Sequence, residues 1–122
     1  MPKTVLIVED EDSVRELEKL VLTQLGYDVM EARDGLEGLA KAEFRRPDLI
    51  LLDLKMPDLS GDRVLEEIQR HPVTAGIPVI VITGSTEARE MLDHLGPDDV
   101  VMKPFETDTL LARIRDHIGD AE

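Results

Sequence analysis

Apolar residues in this chain follow two spacings that alternate from end to end. Thr4 to Val8 is a short β-rich apolar run. Ser13 to Leu25 then places Val14, Leu17, Val21 and Leu25 on one helical face, with Leu20 and Leu22 flanking it as partly exposed positions and Gly26 suited to the exit. Tyr27 to Glu31 is a weaker, more polar run that fits an edge strand. After the Asp34-Gly35 turn signal, Leu36 to Arg46 reads as a helix with Leu36, Leu39 and Ala40 inward. Leu49-Ile50-Leu51-Leu52 shows no polar alternation, as a strand buried on both faces should, and it runs straight into Asp53.

The alternation continues through the second half. Gly61 to Arg70 is helical through Val64, Leu65 and Ile68, and His71-Pro72 ends it. Pro78 opens a second apolar run, Val79 to Ile82, which closes in Thr83. Glu87 to Leu95 predicts a fourth helix, Val100 to Met102 a fifth strand, and Thr107 to Ile118 a last helix with Leu110, Leu111, Ile114 and Ile118 on one side. Gly119 to Glu122 is expected to fray. Five strands separated by helices predict an α/β fold, a parallel sheet covered on both faces through right-handed crossovers.

Composition narrows the function classes. The 122 residues suit one domain, expected to carry no effector domain, with 42% hydrophobic and 34% charged residues. Twenty-seven acidic residues against 14 basic ones leave a net charge of -13, which argues against direct binding of nucleic acid or of an anionic membrane. There is no cysteine, so neither a disulfide nor a thiolate metal site is available. No signal peptide or membrane-length apolar run is visible, so a cytoplasmic location is expected.

The strand ends carry the chemistry. In a parallel sheet the carboxyl ends share one edge, where ligands bind. The first strand ends in Glu9-Asp10-Glu11-Asp12, the third in Asp53, the fourth in Thr83-Gly84-Ser85 and the fifth in Lys103-Pro104. If strands one and three are neighbours, Glu9, Asp10 and Asp53 converge. Three carboxylates so placed raise one another's pKa, and a hard divalent cation such as Mg²⁺ relieves the conflict. Lys103 adds a fixed positive charge and Thr83 a hydroxyl donor. Such a set can carry phosphoryl transfer, with Asp53 as the nucleophile that becomes an aspartyl phosphate. Gly84 would leave room for the phosphoryl group. Glu11, Asp12 and Ser13 read as favourable helix N-terminal residues. His71, His94 and His117 lack ligand spacing and read as surface residues.

Four stretches in order, Val5-Leu6-Ile7-Val8-Glu9-Asp10-Glu11, Asp53-Leu54-Lys55-Met56-Pro57 with Gly61, Pro78 through Thr83-Gly84, and Lys103-Pro104-Phe105, resemble the response-regulator receiver domain of two-component signalling. The resemblance covers the whole chain. It implies a flavodoxin-like fold with strand order 2-1-3-4-5. It implies that Asp53 accepts phosphate from a sensor histidine kinase or a histidine phosphotransfer protein, so the chain is no conventional enzyme but catalyses its own phosphorylation and dephosphorylation. It assigns Glu9, Asp10, Asp53 and the backbone carbonyl of Lys55 to Mg²⁺, and Thr83 and Lys103 to the phosphoryl oxygens. Kinases would meet the first helix, and a downstream protein would read the switch.

Two positions depart from the family pattern. Val100 stands where an aromatic residue is common, and Pro97 where a small residue is common. Both bear on the output face built by the fourth helix, fifth strand and fifth helix of that family. Other classes fit less well. A flavodoxin needs a Ser/Thr/Gly-rich loop where Glu9 to Asp12 stand, and an aspartate-dependent phosphatase often has an acid where Lys55 stands. A pure interaction domain has no need of the whole acid, hydroxyl and lysine set.

Overall fold

The computed structural model describes residues 2–53, 61–84 and 96–121. Among them the chain runs β1 (Thr4–Val8), α1 (Asp12–Gln24), β2 (Asp28–Ala32), α2 (Gly35–Arg45), β3 (Leu49–Asp53), α3 (Gly61–Arg70), β4 (Val79–Thr83), β5 (Asp99–Met102) and α4 (Thr107–Ile118). The helix predicted over Glu87 to Leu95 lies outside the described residues. Every strand pairing is parallel, in the order β2-β1-β3-β4-β5. This is the flavodoxin-like architecture.

The central strands are buried on both faces because both faces are covered. Val5, Ile7, Leu49, Leu51, Ile80 and Ile82 pack with Leu22 of α1 and with Leu110, Leu111 and Ile114 of α4. The alternate residues Leu6, Val8, Ile50, Leu52, Val79 and Val81 pack with Ala42 of α2 and with Val64, Leu65 and Ile68 of α3. Strand alternation thus sends each apolar run to two separate cores.

Three expectations need correction. In α1 the inward line is Arg15 and Leu22, while Leu17 is 62% exposed and Leu25 is also exposed. The helix is rolled about its axis so that Leu22 seats in the core and a buried arginine faces the acidic sheet edge. In α2 the buried residues are Gly35, Gly38 and Ala42, while Leu36 and Ala40 face outward. A Cβ on Gly38 would lie 2.9 Å from Cγ2 of Val8, so a bare backbone is what lets α2 approach β1. A search for large apolar residues misses a helix that docks through its glycines. The tail does not fray up to Ala121. Ala121 is buried and its carbonyl accepts from Lys3 N at 2.7 Å, and the Gly119 carbonyl accepts from the Tyr27 hydroxyl at 2.7 Å.

The Asp34-Gly35 turn signal proves to be a helix cap. Asp34 Oδ1 accepts from Glu37 N at 2.8 Å, and Glu37 Oε1 accepts from Arg33 N at 2.7 Å. His71 and His117 are half-exposed, beside Glu43 at 3.1 Å and Asp99 at 3.3 Å. His94 lies outside the described residues. No described helix is long and apolar enough to cross a membrane.

Candidate functional site

The site is assembled by register. Val8 of β1 pairs with Leu52 of β3, so the residues that follow them, Glu9 and Asp53, come level at the carboxyl edge. Asp53 pairs with Ile82 and Thr83 with Met102, which sets Thr83 and Lys103 on the same edge. Lys103 N donates to the Thr83 carbonyl at 2.7 Å and ties the ends of β4 and β5 together. The topology therefore brings together five of the residues singled out from the sequence. Lys55 lies outside the described residues, as do Met56 and Pro57.

Glu9, Asp10 and Asp53 each offer a carboxylate oxygen within 4.8 Å of the others. Glu9 and Asp53 are buried and Asp10 is exposed. Burial, followed by close contact with Asp53, pushes the Glu9 carboxyl up to about 8. Lys103 Nζ stands 3.4 Å from Asp53 Oδ2 on the other side. Thr83 is buried at the end of β4. All the donors are hard carboxylate oxygens, and a divalent cation would favour the ionised form of each and offset their mutual repulsion, so the donor set fits Mg²⁺. A Cβ on Gly84 would meet Lys103 Cβ at 3.6 Å, an ordinary contact. Protein packing therefore does not demand glycine there, and any need for it comes from the ligand side.

Two residues of the site escaped the sequence reading. Arg15 is 8% exposed. Its Nη1 donates to the Glu9 carbonyl at 2.9 Å, its Nη2 pairs with Asp12, and its Nε lies 3.4 Å from Glu31 of β2. A polar residue on a helix whose apolar stripe was sought elsewhere gives no local signal of this role. Glu18, also on α1, borders an apolar cavity of about 120 Å³ lined by Val14, Leu17, Val21, Phe105 and Leu110. Its Oε2 is buried with no hydrogen-bond partner among the described residues, and burial, with the charge of Asp53 adding, lifts its carboxyl to about 7. Val100 of β5 is partly buried against the core shared by α2 and α3, as a small packed side chain.

Known proteins converge on the same architecture. The family described as response regulator receiver domain matches residues 5–115. The DNA-binding dual master transcriptional regulator RpaA of Synechocystis is 38% identical over 117 residues, which cover 94% of this chain and 48% of that protein. The chain spans about half the length of the curated relatives it matches, the phosphate regulon regulator PhoB of Pseudomonas aeruginosa included. The crystal structure of a putative response regulator from Chloroflexus aurantiacus superposes with a TM-score of 0.91 at 32% identity, covering 97% of this chain and 98% of that one. The receiver domain of a Pseudomonas aeruginosa sensor histidine kinase, with a magnesium ion coordinated in its active site cleft, superposes with a TM-score of 0.90 at 30% identity, covering 98% and 100%.

Proposed function

The chain belongs to the response-regulator receiver family of two-component systems, and from that membership we propose that Asp53 is its phosphoryl acceptor. One observation carries the reading. Asp53 ends the central strand with two further carboxylates within 4.8 Å on one side and Lys103 at 3.4 Å on the other. No other described cluster combines three converging acids with a facing cation.

An Asp53 oxygen attacks phosphorus, and the bond from phosphorus to the donor breaks. With a phospho-histidine donor the imidazole nitrogen leaves and takes up a proton. Glu9, Asp10 and Asp53, with the Lys55 carbonyl, would hold the Mg²⁺, which when bound neutralises charge on the transferring group. Lys103 would exchange its contact with Asp53 for one with a phosphoryl oxygen, and the Thr83 hydroxyl would donate to another. Little covalent chemistry falls to the protein, so positioning and charge compensation dominate. Receiver domains partner with histidine kinases or phosphotransfer proteins, and such a protein is the donor proposed here. The output is a change in protein–protein contact. At a net charge of -13 these residues are repelled by DNA, so any DNA binding of the kind named for RpaA would reside outside the 117 matched residues.

Incubation with acetyl phosphate and Mg²⁺, followed by intact-mass measurement, tests the reading. One phosphoryl group should appear, it should require the metal, and Asp53→Asn should abolish it. Labelling of that variant at the wild-type rate would overturn the assignment.

A further inference from the structure

The outer face of α2 carries an apolar stripe along its whole length. Leu36, Ala40 and Phe44 recur every four residues and all are exposed, Leu36 at 63% and Phe44 at 88%. The stripe cannot turn inward, because the opposite face of the helix is already docked on the sheet through Gly35, Gly38 and Ala42. An aligned apolar row of this kind marks an interaction surface more than a scatter of single residues does.

We propose that two copies of the chain pair through this stripe, their α2 helices antiparallel about a two-fold axis beside Ala40. Charge opposes a second copy least on this face. The chain as a whole carries -13, so two copies repel over most of their surfaces. Residues 33–46 are an exception, with Arg33, Lys41, Arg45 and Arg46 outnumbering Asp34, Glu37 and Glu43.

Register favours the pairing. An antiparallel pair centred on Ala40 sets Leu36 against the partner's Phe44, and Phe44 against the partner's Leu36. The small side chain at the crossing allows close approach. Glu37 and Lys41 lie on one flank of the stripe. At a rise of about 1.5 Å per residue they stand roughly 4.5 Å before and 1.5 Å after the axis, so Glu37 comes beside the partner's Lys41, and the symmetry repeats the contact. Within one chain these two are only a loose exposed pair at 3.7 Å. Glu37 Oε1 is engaged in the helix cap, and Oε2 is the atom that faces Lys41. Lys41 also donates to the Glu31 carbonyl and retains further N–H groups for a second acceptor. Eleven helical residues make a short seam, at the small end of protein interfaces, so the dimer is a weak one that depends on concentration.

Sedimentation equilibrium of the whole chain from about 10 μM to 1 mM should show the mass rising from one to two copies, the range expected of so small a seam. Phe44→Glu should stay monomeric throughout while melting like the wild type, because that ring is exposed. Lys41→Glu should weaken pairing about tenfold, and adding Glu37→Lys should restore it. The chain has no cysteine, so Leu36→Cys and Phe44→Cys each carry a single thiol. Mixed and mildly oxidised, they should join to each other in preference to themselves. A chain monomeric over the whole range, a dimer that survives Phe44→Glu, no rescue by the second charge reversal, or dominant self-linked disulfides would each overturn the proposal.

Discussion

Arg15 Nη1 donates to the main-chain carbonyl of Glu9 at 2.9 Å, so the first acid after β1 is held from behind by a cation that α1 buries. The same guanidinium engages Asp12 and Glu31, and so ties the loop after β1 to both α1 and β2. A bidentate or forked cation of this kind cannot be replaced by a lysine point charge.

Arg15→Met should therefore loosen the Glu9 and Asp10 carboxylates without removing either. Mg²⁺ affinity should fall about ten-fold or more, the usual scale for a group that orients metal ligands. Titration of the Glu9 and Asp53 amide shifts with Mg²⁺ reads this directly. Unchanged affinity in a folded variant would show that Arg15 serves only packing.

Stability of the metal-free protein should depend on pH through Glu9. Its folded value of about 8 lies above the ordinary 4.5, so between these limits the native state holds a proton that the unfolded chain has released. The stability that Glu9 contributes is then fully present below about pH 4.5 and declines as pH rises towards 8. Glu9→Gln should remove part of that slope and leave the part that Glu18, lifted to about 7, contributes with the same sign. Asp10→Asn should raise the melting temperature of the metal-free protein by less, since Asp10 is exposed. Mg²⁺ should stabilise the wild type by mass action, more strongly as pH rises, and should do little for either variant. A wild-type melting temperature that climbs from pH 5 to 8 without metal would contradict the sign.

Gly38→Ala tests the docking of α2. Alanine favours a helix by about 1 kcal/mol over glycine, but here its methyl would press on both Cγ atoms of Val8, at 2.9 and 3.1 Å. Overpacking of this order costs about 1–3 kcal/mol, so the net change should be destabilising. Val8→Ala in the same chain should relieve part of that strain. A stabilised single variant, measured by urea unfolding, would show that α2 moves outward freely.

Leu20 is 54% exposed on α1, beside exposed Leu17. Changing Leu20 to lysine should leave labelling by acetyl phosphate intact and slow transfer from a cognate kinase, whose contact surface the α1 apolar residues would supply. Equal loss of both reactions would place the effect on the fold. The expected exposure of Leu22 is corrected by its burial in the core, so Leu22 is unsuitable for this test.

What the sequence by itself determined lies mainly in the strands. A strand buried on both faces announces itself by an unbroken apolar run, and the residue that ends the run must emerge at the sheet edge. Asp53, Thr83 and Lys103 were legible for that reason, as were Glu9 and Asp10 after the first run. Helix orientation was not legible in the same way. Leu17, Leu36 and Ala40 fit an inward stripe by spacing, yet the tertiary structure rolls α1 to seat Leu22 and Arg15, and draws α2 in through Gly35 and Gly38. Which way a helix faces is decided by what the sheet beneath will admit, here the two methyls of Val8, and that depends on residues some 30 positions away. The same holds for Arg15 and Glu18. Their roles come from what surrounds them once α1 lies on the sheet edge, and no local spacing encodes that environment.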